Sequence, residues 1–288
     1  MIRIYIFLFL IWKISANAQT GIAYLSNESG NFDIYWMSID GSQKLQLTRN
    51  EGWDWSPKWN SKLQAFIFNS TDTSGNFEIR SVDLAGYIDS LNTFGKEEFI
   101  LSPDGTKFLY TLKDGNNRYI GLTDIQSGRN RLLVAHPSYN GRPDWSPDGT
   151  KFSFISDREG NNELYFYDLE AQNTIRLTTS EKSEKYTSWM PDSKQLVYTY
   201  HYSEERDKES NDIFMIDLYT KEINQITNDS KFYQEISVSP DGQKIAFHAK
   251  RMGKDHIYVM DLDGSNEAKL TTVDAYHGEP AWSDTKGN

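Results

Sequence analysis

Cysteine is absent from all 288 residues, so no disulfide braces the chain and stability has to come from packing alone. Positive charge is scarce: 30 Lys and Arg stand against 41 Asp and Glu, a formal net charge of −11 at pH 7. Binding a phosphate backbone depends on Lys and Arg displacing counterions, so nucleic acid is set aside as a partner. Sustained apolar spacing at three and four residues is also missing, which predicts very little helix. The sequence contains no Gly-x-Ser-x-Gly elbow, no His-Glu-x-x-His, no phosphate loop and no dinucleotide fingerprint. A fused peptidase of the α/β-hydrolase kind is excluded on that ground.

Long apolar runs are lacking too, with one exception at the start. Ile4 to Trp12 (IYIFLFLIW) follows Arg3, and Ala16-Asn17-Ala18 supplies a small-x-small cleavage pattern after Lys13. Nine apolar residues fall well short of the span a bilayer demands, about 20 residues. The pattern is that of a secretory signal peptide over residues 1–18, with a mature chain expected from Gln19 and no transmembrane span after cleavage. The expected location is the periplasm or the outside of the cell. Residues 19–288 carry a formal charge of −13 and are enough for one large core.

What is abundant is repetition. An apolar anchor followed by a turn recurs as Trp59-Asn60-Ser61, Leu101-Ser102-Pro103-Asp104-Gly105, Trp145-Ser146-Pro147-Asp148-Gly149, Trp189-Met190-Pro191-Asp192-Ser193, Val238-Ser239-Pro240-Asp241-Gly242 and Trp282-Ser283-Asp284. The intervals between anchors are 42, 44, 44, 49 and 44 residues. After each complete turn comes an alternating strand, such as KFSFIS (151–156), then a polar loop, then a β-branched and aromatic strand, such as ELYFYDLE (163–170). A short last strand ends near Leu-Thr, as in IRLTT (175–179). Pro presets one turn position, Asp bonds back to its own backbone and Gly accepts positive φ. Four short antiparallel strands per period of about 45 residues describe a propeller blade. GIAYLS (21–26) reads as the second strand of a blade whose first strand is missing at the N-terminus. Glu279-Pro280-Ala281-Trp282-Ser283 supplies it. The expectation is an all-β, six-bladed propeller closed by its C-terminal strand, which leaves no open sheet edge.

At this level the residues resemble a known family. Pro143-Asp144-Trp145-Ser146-Pro147-Asp148-Gly149, Ser156-Asp157-Arg158-Glu159-Gly160-Asn161-Asn162-Glu163-Leu164-Tyr165 and, in blade 6, Ile257-Tyr258-Val259-Met260-Asp261 are similar to the WD40-like (PD40) repeat of TolB propellers. Related propellers serve as binding platforms, as appendages of peptidases and as glycan lyases, so the resemblance implies a fold more firmly than a role. TolB itself carries an α/β domain ahead of its propeller, which meets an inner-membrane partner. This chain runs from the signal segment into blade 1 and so resembles the propeller half. That half implies an envelope protein as partner, with a peptidoglycan-associated lipoprotein as the family example.

The candidate site follows from repeat position. Ser56, Glu98, Arg142, Tyr186, Glu235 and Glu279 each lie three residues before an anchor and should ring the mouth of the central channel. Aromatics crowd the loops that lead into these strands: Trp53, Trp55, Phe94, Tyr139, Phe232, Tyr233 and Tyr276. Exposed rings on a rigid face suit a protein hot spot or stacking on sugars, although packing between blades also uses such residues. His136, His201, His248 and His277 fall on or near the same face, and His256 in a third strand. A divalent cation held by His277, Glu279 and Glu98 is a minor reading beside ordinary loop roles, and no other cofactor is implied. Asp261 to Glu267 carries part of a calcium-loop pattern and reads instead as a strand-to-strand turn. HYSEERDKESND (201–212) lacks apolar anchors and is expected to be a mobile loop.

The expected function is an exported, monomeric, non-enzymatic platform that recognises a cell-envelope protein or a glycan through the aromatic lead-in loops. The alternative is a polysaccharide lyase in which Tyr186 transfers a proton and Arg142 neutralises a uronate. The acidic ring weighs against it, because it would repel a polyuronate.

Overall fold

The structure is a computed structural model that describes residues 20–92, 99–202 and 210–284. The expected signal segment, Phe94, Glu98 and most of the blade 5 insertion lie outside these residues. Six four-stranded antiparallel sheets make up the fold, and the described residues contain no helix. Blade 1 joins β24 (His277–Ser283) to β1 (Gly21–Ser26), β2 (Asp33–Ser38) and β3 (Lys44–Gln46), in the order β24-β1-β2-β3. The closing register pairs Ile22 with Trp282, Ala23 with Ala281 and Ser26 with His277. The expected ring closure is therefore observed. The remaining blades begin at β4 (Asp54–Asn60), β8 (Phe99–Leu101), β12 (Asn140–Trp145), β16 (Ser183–Trp189) and β20 (Gln234–Val238).

The Pro-Asp-Gly turns fold as their chemistry dictates. Asp148 Oδ1 accepts hydrogen bonds from Ser146 Oγ at 2.6 Å and Thr150 N at 2.9 Å, while Gly149 takes φ 69°. Ser239 and Asp241 repeat the arrangement around Gly242. In blade 5 the glycine is replaced by Ser193, which still adopts φ 59°, a strained value for a side-chain-bearing residue. Its hydroxyl accepts the Asp148 N–H of the neighbouring turn at 3.0 Å, which helps offset that strain.

Two repeat-wide contacts stitch the blades together. The anchor tryptophans each donate an indole N–H to a backbone carbonyl of the preceding blade's innermost strand or of the residue that follows it. Trp59 reaches Asp284 O at 3.1 Å, Trp145 reaches Ile100 O at 3.1 Å, Trp189 reaches Asp144 O at 3.0 Å and Trp282 reaches Ser237 O at 2.9 Å. The Leu-Thr threonines form the second contact. Thr48, Thr178, Thr227 and Thr271 accept the N–H of Ile34, Leu164, Ile213 and Ile257 at 2.9 to 3.1 Å. Each of these threonines lies 15 residues after the residue that precedes its partner and six before a residue at, or one position from, the start of the next innermost strand. The four seams so defined hold Asp33 and Asp54, Glu163 and Glu184, Asp212 and Tyr233, and His256 and His277. Between the blades the core is dense in stacked rings, such as Phe152 on Tyr167 at 5.3 Å and Phe247 on Tyr258 at 5.6 Å.

Candidate binding face at the channel mouth

Each innermost strand of blades 1, 2, 4, 5 and 6 carries a β-bulge at the expected ring position. A bulge adds one residue to the strand and re-aims its side chains, a device common beside functional sites. At four of these bulges the residue sits at positive φ: Ser56 at 53°, Arg142 at 54°, Glu235 at 48° and Glu279 at 52°. None of them is glycine, so each costs on the order of 1–3 kcal/mol and must be held by its surroundings.

The hydrogen bonding shows what holds them. Glu235 Oε2 accepts the backbone N–H of Glu279 at 2.7 Å, and Glu279 Oε2 in turn accepts the backbone N–H of Ser56. Behind Glu235 stands His248, with Nδ1 at 3.4 Å from Glu235 Oε2 and Nε2 at 3.0 Å from Asp255 Oδ1. A chain from Asp255 through His248, Glu235 and Glu279 to Ser56 therefore crosses blades 6, 1 and 2. Burial alone would push His248 down. The hydrogen bond and charge of Glu235, followed by those of Asp255, outweigh it and raise the imidazole above its ordinary value. Burial likewise opposes ionisation of Glu235, and His248 overrides it, holding that carboxylate low.

From blades 4 and 5, beside the Glu235 blade, the Arg142 guanidinium lies 4.4 Å from the Tyr186 ring centre, a cation–π contact. Arg142 is exposed and Tyr186 half-buried. The structure thus brings Ser56, Arg142, Tyr186, Glu235 and Glu279 to one rim, while Glu98 falls outside the described residues.

The aromatics divide. Trp53 is 61% exposed and meets Phe32 edge-on at 5.8 Å, and Phe32 meets Tyr276 at 5.8 Å. Trp55 is half-buried against Phe77 at 5.6 Å. Tyr139 is half-buried, lies close over Gly141 and faces Arg118. Phe232 is half-buried near the His201 ring. Tyr233 is only 1% exposed and packs on Phe247 at 5.0 Å with its hydroxyl on Asp229, so it belongs to the core. His277 is fully buried, its Nε2 3.1 Å from the Val273 carbonyl and its ring stacked 5.8 Å from His256. Among the described residues no group of three or more His, Asp or Glu is placed to hold a metal ion.

Residues outside the sequence-based candidates also contribute. Met252 and Gly253 form a two-residue turn between β21 (Lys244–Arg251) and β22 (Lys254–Asp261), with φ 52° and 80°. That is the geometry of a hairpin turn, which usually prefers Asn-Gly; here Met252 stands fully exposed at its tip. Phe77 and Val273 are exposed on the same face. The Met-Gly pair between two alternating strands was the available signal for Met252. Phe32 and Phe77 each stand next to or at the start of a third strand, where a ring reads equally well as core.

No known protein-family profile matches the chain. Its fold is that of TolB propellers. It superposes on TolB from Acinetobacter baumannii with a TM-score of 0.77 at 22% identity, over 91% of this chain and 66% of that one. The chain thus spans just under two thirds of that protein. A TolB candidate from Agrobacterium tumefaciens gives 0.65 at 18% identity, over 92% of this chain and 98% of that one. An oligogalacturonate lyase in complex with manganese gives 0.61 at 16% identity, over 88% and 74%. One fold hosts binding proteins and enzymes alike, and these likenesses define architecture only.

Proposed function

We propose that this protein is an exported, non-enzymatic binding platform that recognises a cell-envelope protein through one sector of its channel-mouth face. One observation carries the reading. Among the described residues, the large apolar side chains most exposed on this face are Trp53, Phe77, Met252 and Val273, all on the contiguous blades 6, 1 and 2. The Asp255-to-Ser56 chain of ion-pair and hydrogen-bond contacts stiffens the rim of those same blades. Exposed aromatic and methionine anchors on a rigid base are the composition of a protein hot spot. TolB supplies the fold analogy, and a peptidoglycan-associated lipoprotein is the partner class it suggests. The test is capture from envelope extract, followed by titration calorimetry with the purified partner. Trp53→Ala and Met252→Ser should each weaken binding at least tenfold without shifting the melting temperature. Unchanged affinity in both variants would remove the proposed face.

A second reading has its own support, the Arg142–Tyr186 contact at 4.4 Å. In a uronate lyase these would be the charge-neutralising and proton-transfer groups. Turnover on oligogalacturonate that disappears in Tyr186→Phe would establish it, and no turnover by the unmodified protein would end it.

A further inference from the structure

Glu163 opens β14 (Glu163–Asp168) in blade 4, and Glu184 lies at the start of β16 in blade 5. They meet at the seam between the two blades, and neither side chain has any exposure. Glu163 Oε1 lies 3.1 Å from Arg176 Nη2, and Glu184 Oε1 accepts the Ser180 hydroxyl at 2.7 Å. Glu184 Oε2 and both Glu163 oxygens have no hydrogen-bond partner among the described residues, Arg176 facing Glu163 as a charge. Arg176 is paired with Glu163 and not with Glu184, so Glu184 is a buried carboxyl group with one hydroxyl donor and no cation beside it among the described residues, a costly place for a charge. A proton on Glu184 removes that charge and supplies one donor.

We propose that this seam is a pH-responsive clasp, in which a proton on Glu184, buried beside the Glu163 carboxylate, fastens blade 5 to blade 4 and its loss loosens the start of β16. The surroundings favour the protonated form. Around Glu184 stand Ser180, Thr178 and Glu163, with Tyr198 and Tyr200 of β17 (Gln195–His201) alongside, and His201 pairs with Ser183 one position back. Around Glu163 stand Arg176, Tyr165 and Glu159, the last 3.9 Å from Arg176 Nη1. No cation other than Arg176 is paired with either carboxyl among the described residues. Burial pushes Glu184 up to about 7, with the Ser180 hydroxyl pulling it back and the Glu163 charge adding to the rise. The folded chain therefore binds more protons here than the unfolded chain between pH 4.5 and about 7. The clasp is fully closed below that window and opens as pH rises through its upper end. Glu184 N also donates to Asn162 O across the seam at 2.9 Å, and two residues on lies Tyr186 at the rim. Opening would thus reach the channel mouth. Blades 1 and 2 carry the related pair Asp33 and Asp54, both raised chiefly by burial, with Asp54 Oδ2 lacking a partner.

This inference does not depend on the platform reading. Urea unfolding of the full chain at pH 6.0 and 8.5 tests it, comparing unmodified protein with Glu184→Gln. The midpoint of the unmodified protein should fall between the two pH values, and Glu184→Gln should show a clearly smaller fall. An equal fall in both would overturn the clasp. Should the variant fail to fold, carbon-detected titration of the glutamate carboxyls in the unmodified protein decides: a buried Glu titrating near neutrality supports the clasp, and none above pH 5 overturns it.

Discussion

The carboxylate of Glu279 holds the backbone N–H of Ser56, a residue 223 positions earlier in the chain, and both residues stand at positive φ. The closing strand thus fixes the rim of the next blade as well as completing its own sheet. Removing the acceptor leaves a part-buried amide unsatisfied in a strained conformation. Glu279→Ala should destabilise the fold by about 1–3 kcal/mol, and Glu279→Gln, which keeps an acceptor, should recover most of that. Urea unfolding of the two variants side by side is the check.

Tryptophans in this chain are expected to behave in two distinct ways. Trp282 is 5% exposed and donates its indole N–H to Ser237 O. Trp282→Phe loses that bond and should cost about 1–2 kcal/mol, whereas Trp282→Ala opens a cavity at the closure and should cost about 3–5 kcal/mol. Trp53→Ala removes an exposed ring and should stay within about 0.5 kcal/mol of the parent. Thermal melts of the three variants, read against their partner binding, separate strut from contact residue.

The ring and its closure were legible because period, turn chemistry and strand alternation all point to one architecture, and the split blade left its mark at both ends. The rim positions were legible for the same reason: repeat equivalence places Ser56, Arg142, Tyr186, Glu235 and Glu279 together whatever their side chains. Exposure was not legible. Tyr233 and Tyr276 both belong to loops leading into innermost strands, yet one lies in the core and the other on the rim, because Asp229 and Phe247 enclose the first ring. Nor does the sequence display the seam pairs, since Glu163 and Glu184 read as ordinary polar residues at strand starts until the blades bring them together.

Gly278 offers a steric test of the rim. A Cβ there would sit 2.3 Å from the Tyr276 hydroxyl oxygen and 2.8 Å from Glu235 Oε2, too close for either to stay in place. Gly278→Ala should therefore displace the Tyr276 ring and disturb the Glu235-to-Glu279 bond, at a cost of about 1–3 kcal/mol. If the platform reading holds, partner affinity should fall although no exposed residue has been changed. Calorimetric binding together with a melting curve distinguishes a distorted rim from a lost fold.

Three histidines, His248, His256 and His277, should titrate in opposite directions. His248, held between Glu235 and Asp255, stays protonated above its ordinary value of 6.5. Its contribution to stability is complete below 6.5 and is lost as pH rises through the folded-state value. His256 and His277 are pushed down, first by burial, and each is further lowered by lysine charge nearby, Lys269 for His256 and Lys44 for His277. Their neutral forms support the blade 6 to blade 1 seam above 6.5, and that support is lost as pH falls through their folded values. Of the five histidines, imidazole proton titration should place His248 above 6.5 and His256 and His277 below it, assigned by His248→Gln, His256→Gln and His277→Gln. A His248 that titrates below 6.5 would mean that Glu235 is not ion-paired, and the chain of contacts from Asp255 to Ser56 would lose the member that holds its first carboxylate at the rim in place.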